Sequence, residues 1–238
     1  MVGIVIFCAA IMAGLIQTVT GFGSGIFMML FLPQFFPLLK ASALSGSVTL
    51  MVNGGVAWKY RKYSQKKYTL LPAVFFIISS SLAIALGKNL PTVLLKKTFG
   101  GFLFLLSLYF MFAGQNKKRK ASVATAIVCA LLSGVLGGFF GISGPPMVIY
   151  FLSVLDKKEE YLGTIQLFFF CSGVYMFLLR ICSGIYTLDL LRYTVIGMSG
   201  VFIGMQMGYK IVDRLDTARL KKIIYFFLAV SGVLNLIG

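Results

Sequence analysis

Two short glycine-rich segments carry the residue types best suited to binding a small ligand through the backbone. They comprise Thr20, Gly21, Phe22, Gly23, Ser24 and Gly25 in the first segment, and Gly141, Ile142, Ser143 and Gly144 in the second. Glycine lets a ligand approach the main chain, and serine adds a hydroxyl donor. Helices that begin near Gly25 and Pro146 would point unpaired N–H groups and partial positive charge at the same place. Such ends form an anion site without a full charge.

Other polar side chains follow each glycine-rich segment along the chain. Asn53 and Gln166 lie in the next uncharged stretch of each half, and both are candidates for substrate contact. Their alternative role is ordinary hydrogen bonding between helices. Arg180 and Arg192 flank the predicted outer end of one helical hairpin. We interpret them as interfacial anchors whose charges reach water, and the alternative is a positive vestibule that attracts anions.

The composition requires these residues to be positioned inside a membrane. Of 238 residues, 59% are hydrophobic and only 12% are charged, whereas soluble domains carry about 25% charged residues. The net charge of +16 comes from basic tracts between long uncharged stretches, which is typical of cytoplasmic loops in multi-pass membrane proteins rather than of nucleic-acid binding. We therefore expect contact with membrane lipid in the cytoplasmic (inner) cell membrane and no nucleic-acid partner.

Eight long stretches lack Asp, Glu, Lys and Arg, and most of them fit one membrane-spanning helix. The stretches 1–39 and 121–155 are longer, and each contains a glycine-rich segment in its middle. We predict that each folds as a helix, a non-helical tip and a shorter returning helix. The count of basic residues supports this for the second stretch: it places 16 of the 22 on one side, as the positive-inside rule demands.

The chain also repeats itself at an offset of about 120 residues. Ala13-Gly14 through Gly21 corresponds to Ser133-Gly134 through Gly141. We predict one membrane domain, 1–238, made of repeats 1–120 and 121–238. The fold class expected is an all-α polytopic membrane protein with two inverted-topology repeats, each a broken-helix hairpin plus three further transmembrane helices. Interrupted helices in paired repeats are typical of secondary transporters.

The absence of acidic residues and histidine from the uncharged stretches restricts the possible classes of substrate. All six acidic residues fall in connectors or at the ends of stretches, and the chain has no histidine. Cation sites and proton relays inside membranes usually need such groups. The sequence therefore favours an anionic substrate held by neutral donors, and any coupled proton would travel on the substrate. We expect no metal and no cofactor.

These motifs resemble the TauE/SafE family of sulfite and organosulfonate exporters. The resemblance rests on residues 21–25 with Ala41-Ser42-Ala43-Leu44-Ser45 downstream, and on residues 141–146 with Leu162-Gly163-Thr164 downstream. It implies a multi-pass carrier, not an enzyme, that moves a small sulfur-containing oxyanion such as sulfite or an organosulfonate by alternating access.

Two other functions remain open at this point. One is a membrane thiol–disulfide electron carrier, because Cys8 and Cys129 occupy nearly equivalent places in the two halves. The other is a non-transporting membrane assembly factor. The sequence does not fix the anion, the direction of transport or the coupling ion, and it allows a homo-oligomer.

Overall fold

The computed structural model is helical throughout the part of the chain that it describes, residues 1–91 and 122–216 with Leu94, Gly101 and Arg219. Apart from Gly101, the predicted helices over 98–116 and 223–238 and the basic connector 117–120 lie outside the described residues. The helices named here are α1 (Val2–Thr20), α2 (Ser24–Phe31), α3 (Leu38–Lys59), α4 (Leu70–Gly87), α5 (Val123–Phe140), α6 (Gly144–Val154), α7 (Lys158–Cys182) and α8 (Leu191–Val212).

Five spans among the described residues are long and apolar enough to cross a membrane. They are Val2–Thr20, Lys66–Gly87, Val123–Phe140, Lys158–Cys182 and Leu188–Val212. Large apolar side chains such as Leu82, Leu178 and Val195 point outward from them and are more than half exposed. An apolar exterior of this kind suits contact with lipid, so the chain is a multi-pass membrane protein.

Both long uncharged stretches break where the sequence predicts. The helices α1 and α5 end at Gly21 and Gly141, whose φ angles of 84° and 69° lie in the left-handed region that favours glycine. The short helices α2 and α6 then begin at Ser24 and Gly144, within two residues of the predicted starts. Pro145 lies in the first turn of α6, where a proline leaves no additional N–H unpaired.

Helix α3 is the polar helix at the centre of the fold. It buries hydroxyl and amide side chains along most of its length, including Ser45, Ser47, Thr49 and Asn53. These residues explain why α3, despite its 22 residues, is not among the five apolar spans. Because α3 packs against α1, α2, α7 and α8, its polar side chains face protein rather than lipid, as backbone and polar groups at membrane depth require.

The packing of α1 on α8 and of α4 on α5 follows one pattern. In the first pair, Gly3 lies against Ile196 and Gly208 lies against Thr18, so the two helices run parallel. In the second pair, Gly134 lies against Ser79 and Gly138 against Ala83, which is again a parallel arrangement. Glycines at these contacts let the backbones approach closely. The first long helix of each predicted repeat thus packs on the third long helix of the other.

The two central helices, α3 and α7, run in opposite directions. Gly46 of α3 lies against Arg180, Gly54 lies against Phe170, and Tyr60, the residue after α3, lies against Gly163. Residue numbers rise along one helix as they fall along the other. The facing sides of α3 and α7, together with the two tips, enclose the site described next.

Candidate functional site

The two glycine tips touch each other. A Cβ atom at Gly25 would lie 2.6 Å from the carbonyl oxygen of Gly141, and one at Gly144 would lie 3.1 Å from the ring of Phe22. Real Cβ atoms do not approach a backbone oxygen so closely, so Gly25 is needed for this contact. Residues 116 positions apart in the sequence are therefore in direct contact where the two tips meet.

A cavity opens where the tips meet. Its volume is about 70 Å³, and because one water molecule needs about 10–15 Å³, the cavity has room for several water molecules or a small ligand. The tips supply Phe22, Gly23, Ser24, Gly25, Gly141, Ile142, Ser143 and Gly144 to its lining, and Asn53 contributes from α3. Nine of the twelve predicted site residues thus surround a single space.

The other three predicted residues, Thr20, Gly21 and Gln166, do not line the cavity but take part in hydrogen bonds that brace the first tip. The Gln166 Nε2 atom donates to the Gly21 carbonyl at 2.9 Å, and the Tyr161 hydroxyl donates to the Thr20 carbonyl at 3.0 Å. The Thr20 hydroxyl in turn donates to the Phe22 carbonyl at 2.6 Å. These bonds pair backbone oxygens that the broken helix leaves free, so the three residues hold the shape of the tip.

A chain of hydrogen bonds fixes the orientation of Asn53. The backbone N–H and the hydroxyl of Ser24 both donate to Gln17 Oε1, at 3.0 and 2.8 Å. Gln17 must therefore present its Nε2 group to Asn53, where it donates to Oδ1 at 2.8 Å. This leaves the Asn53 Nδ2 group, which no described residue accepts from, next to Gly173 at the cavity wall. Asn53 thus offers N–H donors to a ligand.

The same bonds change the role of Ser24. Its hydroxyl was predicted to donate to a ligand, but the structure directs that hydrogen to Gln17. In the second tip, the Ser133 hydroxyl donates to the Ser143 carbonyl at 2.8 Å, and Ser143 lines the cavity. Ser143 is therefore the tip serine placed to donate to a ligand.

The strongest feature of the site is Arg180 of α7. Its side chain is 3% exposed and lines the cavity. The Nη1 group donates to the Ser42 carbonyl at 2.8 Å, and Nη2 donates to the Gly137 carbonyl at 2.9 Å and the Ser42 hydroxyl at 3.2 Å. Gly46 leaves room for the guanidinium, since a Cβ there would lie 2.6 Å from Nη1.

The interpretation of Arg180 as an interfacial anchor is wrong. No carboxylate in the described part of the chain lies within ion-pair distance of it, and all its partners are uncharged oxygens. Arginine remains protonated inside proteins, and a buried charge without a partner is unfavourable. The site therefore holds a full positive charge that an anion would neutralise. Arg192, in contrast, is exposed and lies over the ring of Tyr193, as an anchor would.

The helical register of α7 contained a signal for Arg180. Gly173, Met176 and Arg180 are spaced to share one helix face, and all three line the cavity. Leu178 and Ile181, on the other side of the helix, are exposed. Arg180 therefore belongs to the inward face of α7. Because it lies two residues before the helix end at Cys182, its position in the sequence favoured the interpretation as an interfacial anchor instead.

Much of the remaining cavity wall is apolar. Phe76 of α4, Ile26 of α2 and Phe169, Met176 and Phe177 of α7 contribute to the lining, and Gln17, Thr49 and Ser172 add polar groups to it. Within the described ranges, no group of three or more His, Cys, Asp or Glu residues is placed to hold a metal ion. Neither Cys8, which is exposed, nor Cys129, which is buried, lines the cavity. Chemically, the site combines one positively charged side chain, Arg180, with neutral N–H and O–H donors.

Comparison with known proteins identifies the family of this chain. The profile of the family described as "Sulfite exporter TauE/SafE" matches residues 6–234. The chain therefore belongs to the TauE/SafE family of membrane transporters. It is also similar to the "Probable membrane transporter protein YdhB" of Bacillus subtilis (strain 168), with 26% identity over 237 residues, covering 94% of this chain and 96% of that protein. No solved structure matches the chain significantly.

Proposed function

We propose that this protein is a secondary transporter that moves a small sulfur-containing oxyanion, such as sulfite or an organosulfonate, across the cell membrane by alternating access. The observation that carries the proposal is Arg180, which is buried at a cavity between two broken helices and forms no ion pair with a carboxylate of the described residues. Charged residues within membrane helices typically mark the path of an ion or substrate. An oxyanion would accept hydrogen bonds from Arg180, Asn53 and Ser143.

The arrangement of the helices supports alternating access. Helices α3 and α7 are the equivalent central helices of the two predicted repeats, and they pack antiparallel. The reciprocal pairs, α1 with α8 and α5 with α4, are what a two-fold relation between the repeats produces. A two-fold axis perpendicular to membrane helices inverts one repeat relative to the other. Rocking of such repeats around a fixed site opens it to either side in turn.

The sulfur-containing substrate is supported by the family described as sulfite exporters, to which the chain belongs. The site is compatible with that class because sulfite and sulfonate groups carry several oxygens around one sulfur. These oxygens can accept from a guanidinium and from amide donors at the same time.

Binding to the purified full-length chain tests the proposal. Sulfite and short sulfonates are expected to raise the unfolding temperature, since a ligand at about 100 times its Kd adds about 2.7 kcal/mol of stability. Sodium chloride at equal ionic strength controls for general salt effects. Uptake into proteoliposomes of the same anions would then establish transport. If neither group of anions stabilises the protein or crosses the bilayer, the proposal fails.

A further inference from the structure

We propose that the site accepts its substrate as a singly charged anion, so that an oxyanion with two ionisations travels in its protonated form. This inference rests on the proposed function and specifies the charge of the substrate that the same site takes. It is carried by the number of charges at the cavity.

Arg180 is the single charged residue among the described residues that line the cavity. The remaining polar lining consists of neutral amide, hydroxyl and backbone groups from residues such as Asn53, Ser143 and Thr49. The Thr49 hydroxyl already donates to the Gly46 carbonyl at 3.1 Å, which reduces the supply of donors further. One guanidinium neutralises one negative charge.

A second negative charge would meet no further charged side chain among the described residues, only the partial positive charges of the α2 and α6 N-termini. Phe76, Phe169 and Met176 form part of the wall and offer no strong donor. In a medium of low dielectric, an unpaired charge is far less favourable than in water. A doubly charged ion would lose its hydration on entering the cavity and regain compensation for only one charge.

Apart from Arg180, no described residue that lines the cavity could change this balance with pH. The other described titratable residues on the elements that contact Arg180 or pack against α7 all lie outside the cavity lining. They are Lys40 and Lys59 on α3, Cys129 on α5, Tyr150 on α6, Tyr60, Arg61, Lys62 and Tyr63 in the turn after α3, Lys158, Glu159, Glu160, Tyr161, Cys171, Tyr175 and Cys182 on α7, and Tyr186, whose backbone N–H donates to the Arg180 carbonyl.

Any pH dependence of binding therefore arises from the ligand. Sulfite changes from one negative charge to two near neutral pH, so the form that fits the site becomes scarcer as pH rises. Above that ionisation, the apparent Kd for sulfite should increase about tenfold per pH unit. A sulfonate with a single ionisation should bind equally well across the same range. A substrate of the first kind would carry a proton across the membrane without a side-chain relay.

Three probes of similar size separate these possibilities on the purified full-length protein. Methanesulfonate and sulfate have the same number of non-hydrogen atoms and the same tetrahedral sulfur, but one and two negative charges. Sulfite changes its charge with pH. We expect methanesulfonate to stabilise the protein at mildly acidic and mildly alkaline pH, sulfite to do so only at mildly acidic pH, and sulfate at neither.

General salt effects are removed by two references. Sulfate stabilises many proteins by exclusion from their surface, so each shift is compared with that of the Arg180→Gln variant. Sodium chloride at equal ionic strength with the unaltered protein gives a second reference that does not depend on how the variant folds.

The outcomes distinguish this inference from the proposed function. Specific stabilisation by sulfate equal to that by methanesulfonate, or a sulfite Kd that does not change with pH, would overturn the inference and leave anion transport standing. No specific stabilisation by any of the three probes would overturn the proposed function and the inference together.

Discussion

At the scale of single residues, the chemistry of the site depends on where two side chains send their hydrogen bonds. Arg180 donates three hydrogen bonds to uncharged oxygens of Ser42 and Gly137, so its positive charge is not neutralised by them. Gln17 accepts hydrogen bonds from Ser24 through Oε1, and it thereby determines which end of the Asn53 amide faces the cavity. Both arrangements present positive or donating groups to the same space, which is what an anion requires.

Replacing Arg180 with glutamine should weaken anion binding strongly without lowering the stability of the ligand-free protein. Losing a buried charged hydrogen-bonding partner typically costs about 2–5 kcal/mol of binding, which is a factor of roughly 30 or more in Kd. The unpaired charge also disfavours the empty protein, so its unfolding temperature should stay constant or rise. Thermal unfolding with and without ligand measures both effects.

The matched control is Arg192→Gln, because Arg192 is exposed and contacts Tyr193 rather than the cavity. It should leave the Kd unchanged. If Arg192→Gln weakened binding as much as Arg180→Gln, the two arginines would act through the general electrostatic field, and Arg180 would lose its assigned role.

Gln17 should act on the ligand through Asn53. Replacing Gln17 with methionine keeps its size and removes both hydrogen-bonding functions, so the Asn53 amide is free to turn its oxygen toward the anion. We expect the Kd to rise about tenfold, in line with the loss of a hydrogen bond to a charged group. In a protein that already carries Asn53→Ala, the same change should have little effect on Kd.

This double-mutant cycle distinguishes positioning from general structural support. Gln17→Met also leaves the Ser24 N–H without its partner, and that loss lowers stability in either background. Additive effects of the two substitutions on Kd would show that Gln17 does not act through Asn53.

At the scale of secondary-structure elements, the broken helices exist because glycine relieves two local restrictions. Gly21, Gly23 and Gly141 adopt positive φ angles, which end α1 and α5 and turn the chain. Gly25 and Gly144 allow the two tips to touch where a side chain would collide. The first restriction concerns the conformation of one residue, and the second concerns packing between repeats.

Replacing Gly25 with alanine should separate the tips and weaken ligand binding by at least about tenfold. Its Cβ would collide with the Gly141 carbonyl oxygen at 2.6 Å, and backbone shifts of this kind typically cost about 1–3 kcal/mol. Isothermal titration of the purified variant measures the change. Gly3→Ala in α1 is the control, because its Cβ would meet only the flexible end of Ile196 at 3.3 Å. Equal affinity in both variants would contradict the assigned role of the tip contact.

At the scale of the whole molecule, α3 joins the two faces of the membrane domain. Its first turn is tied to the loop before α8 by Lys40 and Asp189, at 3.4 Å, and its last residue is tied to the end of α8 by Lys59 and Asp213, at 2.8 Å. Exposed pairs of this kind contribute little stability each, about 0–1 kcal/mol. Their value here is in locating the 59–67 connector and the 183–190 loop at opposite ends of a helix of about 33 Å.

Cysteine labelling in intact cells should place these loops on opposite sides of the membrane. In a background without the four native cysteines, Leu188→Cys should react with a membrane-impermeant maleimide from outside, since Leu188 is 87% exposed. Lys62→Cys, in the basic connector, should react only after permeabilisation, because basic loops face the cytoplasm. Labelling of Lys62→Cys in intact cells would reverse the orientation, and labelling of both at once would contradict a single fixed topology.

Much of the fold could be predicted because its determinants are local. The apolar stretches specify helices, and the glycines at 21 and 141 interrupt two of them at the predicted places. The breaks also led to the cavity that forms the candidate site, since nine of the twelve predicted residues line it. The supporting role of Thr20, Gly21 and Gln166 could not be predicted. These residues resemble those that line the cavity in type and position, and they differ only in the direction in which they face.

By itself, the sequence determined that the chain is a multi-pass helical membrane protein with two interrupted helices, because hydropathy and glycine conformation depend on neighbouring residues alone. Only the tertiary structure decided that the positive charge of the site comes from Arg180. An arginine near a helix end can reach water or turn inward, and the choice depends on Ser42 and Gly137, which lie 138 and 43 residues away in the sequence. Contacts over such separations arise only when α3, α5 and α7 pack together.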